Sequence, residues 1–225
     1  MPGAFRFPAC ARCDETSKHW DMVAAASTLI MGQPVGSHVE EEYLFELLRG
    51  LANNVPDFIE DISGDAEEAS LLKNGFLQPV FKVKIDRRIY TRWLFPFCAK
   101  LGLAFWYREN KAVFPQVGAM AVAWFTNQQI ADGAVDEEFL SHFPSADFPR
   151  QGKLKHDKQF YYRFARSKDE KLAAFLFVFH MSSAAWVIMS SEREGIDRYR
   201  GRMCVYRTSA EEGIFSSSMP IDFHV

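Results

Sequence analysis

Apolar side chains recur along this chain with two periods. Through the first 130 residues the dominant spacing is three or four, the mark of one helix face. Thr16 or Ser17 can cap a helix that runs to about Met31 and aligns Trp20, Val23, Ala24, Ser27 and Ile30. Gly32, Pro34 and Gly36 break it. Ser37 and Glu40 form a capping box. The helix that follows places Tyr43, Leu44, Leu47, Leu48 and Leu51 together and stops at Asn53-Asn54. Short helices are expected over 56–62 and, in an acidic stretch, over 65–73. The strongest helical pattern opens at Asp86 and repeats through Ile89, Trp93, Phe97, Leu101 and Phe105. Pro96 lies inside it and should kink or divide it, since it removes one backbone donor and crowds the preceding turn. Further helices are expected over 118–130 and 136–143.

The period then changes to two. Segments 159–165, 173–181, 184–189 and 202–207 read as strands with short connections, hence an antiparallel sheet. Phe175, Phe177 and Phe179 share one strand face, and Leu176, Val178 and His180 the other. The expected fold class is α+β: an N-terminal helical region over 1–145, then an antiparallel β region over 158–225, with a single core shared between them as one arrangement. The Pro-, Gly- and charge-rich stretch 144–158 is the expected joint.

Composition adds limits. With 48% hydrophobic and 24% charged residues among 225, the chain is an ordinary globular one. No apolar run approaches a membrane span, and the start carries no signal-peptide pattern, so a cytoplasmic location without membrane contact is expected. The 21 Phe among 15% aromatics imply extensive apolar surface, some of it available to a partner. Charge is uneven. Residues 1–79 hold 5 basic and 13 acidic side chains, whereas 80–225 hold 21 and 16. Segments 82–111 and 150–171 each carry 8 basic residues. If they share a face they form a phosphate-attracting surface, with Arg87 and Arg88 as contacts and Tyr107, Tyr161 and Tyr162 as stacking candidates. Glu41 and Glu42, on the acidic helix, are the matching candidates for a protein partner.

Cys10 and Cys13 have the spacing of a zinc knuckle, but a structural zinc needs about four ligands and no second such pair exists. The expectation is therefore no cofactor, with zinc on Cys10 and Cys13 as the alternative. Cys98 and Cys204 fall on apolar patterns and read as core residues. No catalytic motif is present, and His38 beside Glu40, Glu41 and Glu42 reads as a helix start favoured by the macrodipole.

Several pieces together resemble bacterial HNH-endonuclease-like proteins. Pro8-Ala-Cys10-Ala-Arg-Cys13, followed by Thr16-Ser17-Lys18, is similar to the second knuckle of that family. Asn53-Asn54-Val55-Pro56, the run Lys100–Tyr107, Trp124-Phe125-Thr126-Asn127, and the strands near Phe160–Phe164 and Phe175–His180 match further segments. The resemblance implies a truncated relative that lacks the upstream CxxC and the Asp-His half of the nuclease site. Metal-assisted phosphodiester cleavage requires an ion and a base at one phosphate, and neither can be assigned. The expected function is a non-catalytic binding protein of a mobile-element or defence context. It would dock on DNA or RNA, or on a protein partner in a nucleic-acid-processing complex, with inhibition as one form of action. The alternatives are a metal-dependent nuclease with a non-standard site and a structural or oligomeric module.

Overall fold

A computed structural model describes residues 11–31, 41–63, 66–73, 76–83, 87–126, 129–130, 133, 135, 160–180, 183–200 and 202–207. The fold is α+β, with helices in the N-terminal half and a five-stranded antiparallel sheet formed mainly by the C-terminal half.

Helix α1 (Ala11–Met31) begins before the expected cap. Ser17 lies inside it, buried, and its hydroxyl donates back to the carbonyl of Asp14 at 3.1 Å. That local bond serves a mid-helix serine as well as a cap would. Helix α2 (Glu41–Asn54) matches the pattern: Leu51 is fully buried, and Asn54 Nδ2 donates to the carbonyl of Gly50. Pro56 then opens α3 (Pro56–Ser63), a first-turn position that needs no backbone donor.

The acidic stretch expected as a helix is instead strand β1 (Ala66–Lys73), paired antiparallel with β2 (Phe76–Val83). Only Asn74-Gly75 separates them. An Asn-Gly pair between apolar runs is a strong short-range hairpin signal, and it outweighs the weak helical tendency of Glu67 and Glu68.

The long pattern after Asp86 is divided, as Pro96 requires. Helix α4 (Arg87–Ile89) passes into a π turn over Tyr90–Leu94, then into α5 (Phe95–Asn110). The N–H of Phe95 donates to the carbonyl of Tyr90, five residues back. This wider turn puts Pro96 into the first turn of α5, where its missing N–H costs little. Lys111 ends the helix in the left-handed conformation at φ 54°, donating its N–H to Tyr107 at 2.8 Å.

Residues expected to form a helix over 118–130 form strand β3 (Ala119–Thr126). β4 (Phe160–Arg166), β5 (Leu172–Phe179), β6 (Ser183–Ser190) and β7 (Cys204–Arg207) follow, with the short helix α6 (Glu194–Asp197) between the last two. The sheet order is β4-β5-β6-β3-β7, all antiparallel. β3 lies inside this sheet, between β6 and β7. Its apolar run has no period of its own, so a buried strand and a buried helix look alike until a partner strand is known.

The sheet has two packed faces. On one, Phe175, Phe177, Val122, Val187 and Tyr162 join Leu94, Cys98, Phe105 and the buried residues of α1 and α2 in one cluster. On the other, Ala121, Trp186 and Ile188 meet Ile196, Tyr199 and Met203 around α6. Residues on both sides of the expected joint therefore enter the same cluster. Gly102 lets α5 approach β6 closely: a Cβ there would stand 2.6 Å from Val187 Cγ1.

Candidate functional site

The charges that are separated along the sequence meet in space. Arg92 pairs with Asp57 of α3, and Arg88 lies 3.9 Å from Asp61. Lys100 of α5 reaches Asp21 of α1 at 2.5 Å. Acidic residues of α1 and α3 thus answer basic residues of the helical run that begins at Arg87. Each pair is partly exposed, so each contributes little stability. Their main effect is to reduce the local field that either segment would present alone.

Among the described residues, the basic segments 82–111 and 150–171 meet toward the C-terminal end of α5. There Arg166 donates to Asn110 Oδ1, and the Tyr162 hydroxyl donates to Glu109 Oε1 at 3.2 Å. The guanidinium of Arg108 lies over the ring of Tyr162 at 5.2 Å, and that of Arg166 over Phe164 at 5.5 Å. Arg88 stands one long helix away, about 30 Å at 1.5 Å per residue.

The tyrosines do not make one stacking platform. Tyr162 is 3% exposed and packs edge-on against Phe105 at 4.6 Å. Burial first, and then the negative charge of Glu109, push its phenol above the ordinary range. Tyr161, next in the strand, belongs to the opposite sheet face and is half-buried. Tyr107 is half-buried on α5.

Cys10 lies outside the described residues, as does the side chain of Cys13, whose backbone is in the first turns of α1. Among the described residues no three His, Cys, Asp or Glu side chains come together as a metal-binding group. Cys98 and Cys204 are buried thiols outside any disulfide, as their apolar spacing suggests. Burial, with Cys204 adding to it, pushes the Cys98 thiol far up, so it stays protonated at neutral pH. Tyr206 is driven up likewise by burial, then by the adjoining Cys204. His180 is not within a strand; it follows β5 in a turn at φ 50°, and burial lowers its pKa.

Helix α2 carries the most exposed large aromatic side chain among the described residues. Phe45 is 67% exposed, whereas Leu51, two turns on, is fully buried. Helical spacing places positions 41 and 42 one turn before Phe45 and Arg49 one turn after it. Glu46 and Arg49 are exposed. The side chains of Glu41, Glu42 and Arg87 lie outside the described residues; their backbones begin α2 and α4. Sequence patterning gave Leu47, Leu48 and Leu51 their inward face but did not single out Phe45. The signal was an aromatic residue off that stripe, between carboxylates.

No helix among the described residues is long and apolar enough to cross a membrane. The chain matches no protein-family model, no curated protein and no solved structure.

Proposed function

We propose that this chain is a non-catalytic binding protein that docks, through the outer face of α2, on the basic surface of a nucleic-acid-handling protein. The observation that carries this reading is Phe45: an aromatic side chain 67% exposed beside the exposed Glu46, on a helix whose sequence begins with Glu41 and Glu42. Exposed aromatics of this kind act as anchors in desolvated interface pockets, while rim charges speed encounter and select the partner's sign. A basic groove that ordinarily holds phosphates is the matching surface, and its occupation by α2 would inhibit that protein. The resemblance to HNH-endonuclease-like proteins agrees with such a setting.

The basic surface is the weaker candidate for docking on nucleic acid. Arg88 and Arg92 already have carboxylate partners, and Tyr162 is inside the core. The test is affinity capture from the native host with the full chain, with Phe45→Ser and with Glu41→Lys/Glu42→Lys. The expected result is one basic nucleic-acid-binding protein, displaced by added duplex DNA. Its affinity should drop by about thirtyfold in Phe45→Ser. In parallel, the isolated chain is titrated with short DNA and RNA. Tight, salt-steep binding abolished by Arg87→Glu/Arg88→Glu overturns the reading, as does metal-dependent DNA cleavage that persists through purification.

A further inference from the structure

On the helix side of the large sheet, one end places three strands in a row. Phe179 of β5 faces Ser183 of β6, and Ser183 faces Thr126 of β3. One rung further in stand Phe177, Ala185 and Trp124. The middle strand therefore offers only small side chains here, Ser183 and Ala185. Strands two apart lie about 10 Å from each other. The rings of Trp124 and Phe179 nevertheless stack with centroids 5.5 Å apart and planes at 16°, so they lean toward each other over β6. Phe97 of α5 closes a third side, 6.3 Å from Trp124 and 6.0 Å from Phe179. Phe160 of β4 stands beside Phe179 at 5.3 Å.

Two polar atoms are buried in this corner without a hydrogen-bond partner among the described residues: Ser183 Oγ and Trp124 Nε1. Ser183 is 1% exposed and Trp124 4%. The hydroxyl across the ladder does not serve Ser183. Thr126 Oγ1 accepts from the Gln129 N–H at 3.3 Å, and the Thr126 N–H donates to Gln129 Oε1 at 2.8 Å. The Gln129 side chain is also bonded to the Tyr90 hydroxyl. Burying an unbonded hydroxyl or indole N–H lowers stability, so each such group asks for an explanation. An internal water is a poor one, since it takes about three polar partners and this corner is walled by aromatic rings.

The corner reaches the surface. Phe97, Thr126 and Phe179 are each partly exposed, and Phe179 ends β5 just before the turn at His180. We propose that this corner binds a neutral, planar heteroaromatic molecule of nucleobase size. Its polar edge bonds Ser183 Oγ and Trp124 Nε1, and its face lies against Phe97 and Phe179. Phe179, at the strand end, is the ring that swings to admit it. Apolar walls with a few fixed polar groups are what small-molecule sites present. A planar ring gains from stacking on those walls, which a sugar or an ion would not. Ser183, Thr126, Gln129, Tyr90 and the four rings are uncharged, so an ionic ligand would lose its hydration there without a counter-charge.

The experiment is calorimetric titration of the full chain with adenine, cytosine and uracil, with benzene as a planar ring that has no polar edge. At least one base should bind, and benzene should bind much more weakly. Ser183→Ala and Trp124→Phe should each weaken base binding by about tenfold, the worth of one hydrogen bond. Trp124→Phe keeps a ring at that position. Ser183→Ala should also raise the thermal midpoint of the unliganded chain, because it removes a buried hydroxyl and breaks no bond. A variant that merely damaged the fold would lower it. A short single-stranded oligonucleotide tells the source of the ring: affinity equal to that of the free base means a free small molecule, and tighter affinity a base carried on a strand. No base binding at millimolar concentration, binding untouched by both variants, benzene bound as tightly as the bases, or a Ser183→Ala chain that unfolds earlier overturns the proposal. None of these residues belongs to α2, so this test and that of the docking face fail independently.

Discussion

In the five-stranded sheet, β6 is buried along all eight residues, with α5 on one side and α6 on the other. In the two-stranded hairpin, strands of equal length meet only each other within their sheet, and Ser70 at the middle of β1 is exposed. The larger sheet is stabilised by layers: Phe105 touches Tyr162, Phe175 and Phe177 with ring centroids 4.6–6.3 Å apart. Each such aromatic pair adds about 0.5–1.5 kcal/mol beyond the area it buries. What is described of the hairpin is its backbone pairing, joined across Asn74-Gly75. Strand length alone therefore says little about stability; what covers the strand decides it. The same contrast separates the two kinds of aromatic position, since Phe177 is fully buried and Phe45 is 67% exposed.

The largest expected effect comes from removing the layer where it is densest. Phe177→Ala should destabilise the chain by about 3–5 kcal/mol. Urea unfolding checks this, and the near-ultraviolet and far-ultraviolet signals should move together if the helices and sheet share one core. A midpoint unchanged from the parent would show that the helix-side cluster does not govern stability.

A smaller effect tests how closely α5 must approach the sheet. An alanine at Gly102 would meet Val187 Cγ1 at 2.6 Å and Met189 Sδ at 3.3 Å. Valine is stiff at χ1 and yields little. Gly102→Ala should thus cost about 1–3 kcal/mol from overpacking, less up to about 1 kcal/mol gained in helix propensity. A stabilised variant would mean that the helix–sheet gap is wider than the structure gives. Gly50→Ala is the control, because its nearest contact would be Met22 Cε at an ordinary 3.5 Å.

The smallest effect is a pH dependence at the end of β5. Burial lowers the pKa of His180 in the folded chain below the ordinary 6.5. Below about pH 6.5 the unfolded chain takes up a proton that the folded chain still refuses, so stability falls as pH falls from there to the folded value. His180→Asn, which also tolerates the left-handed turn at φ 50°, should flatten that part of the profile. Urea midpoints at pH 7.5 and 5.5, compared between parent and variant, measure the difference.

Where local chemistry was sufficient, residue order determined the outcome. Leu47, Leu48 and Leu51 fixed the inward face of α2, Pro96 required a break in the long helix, and alternation in 173–179 assigned Phe175 and Phe177 to one sheet face. Asn74-Gly75 also held the hairpin signal, although Glu67 and Glu68 had suggested a helix. Of the candidate site, the acidic helix was legible, but the exposure of Phe45 was not, because exposure depends on what the opposite face of α2 packs against. Tertiary structure alone decided three further things. It made 119–126 a strand by supplying β6 and β7 as neighbours for an apolar run without a period. It buried Tyr162 against Phe105 rather than presenting it beside Tyr107. It also set Asp57, Asp61 and Asp21 against Arg92, Arg88 and Lys100, pairing charges that lie 27 to 79 residues apart in sequence. Periodicity and turn chemistry act over a few residues, whereas burial and charge pairing depend on distances that exist only once the chain has folded.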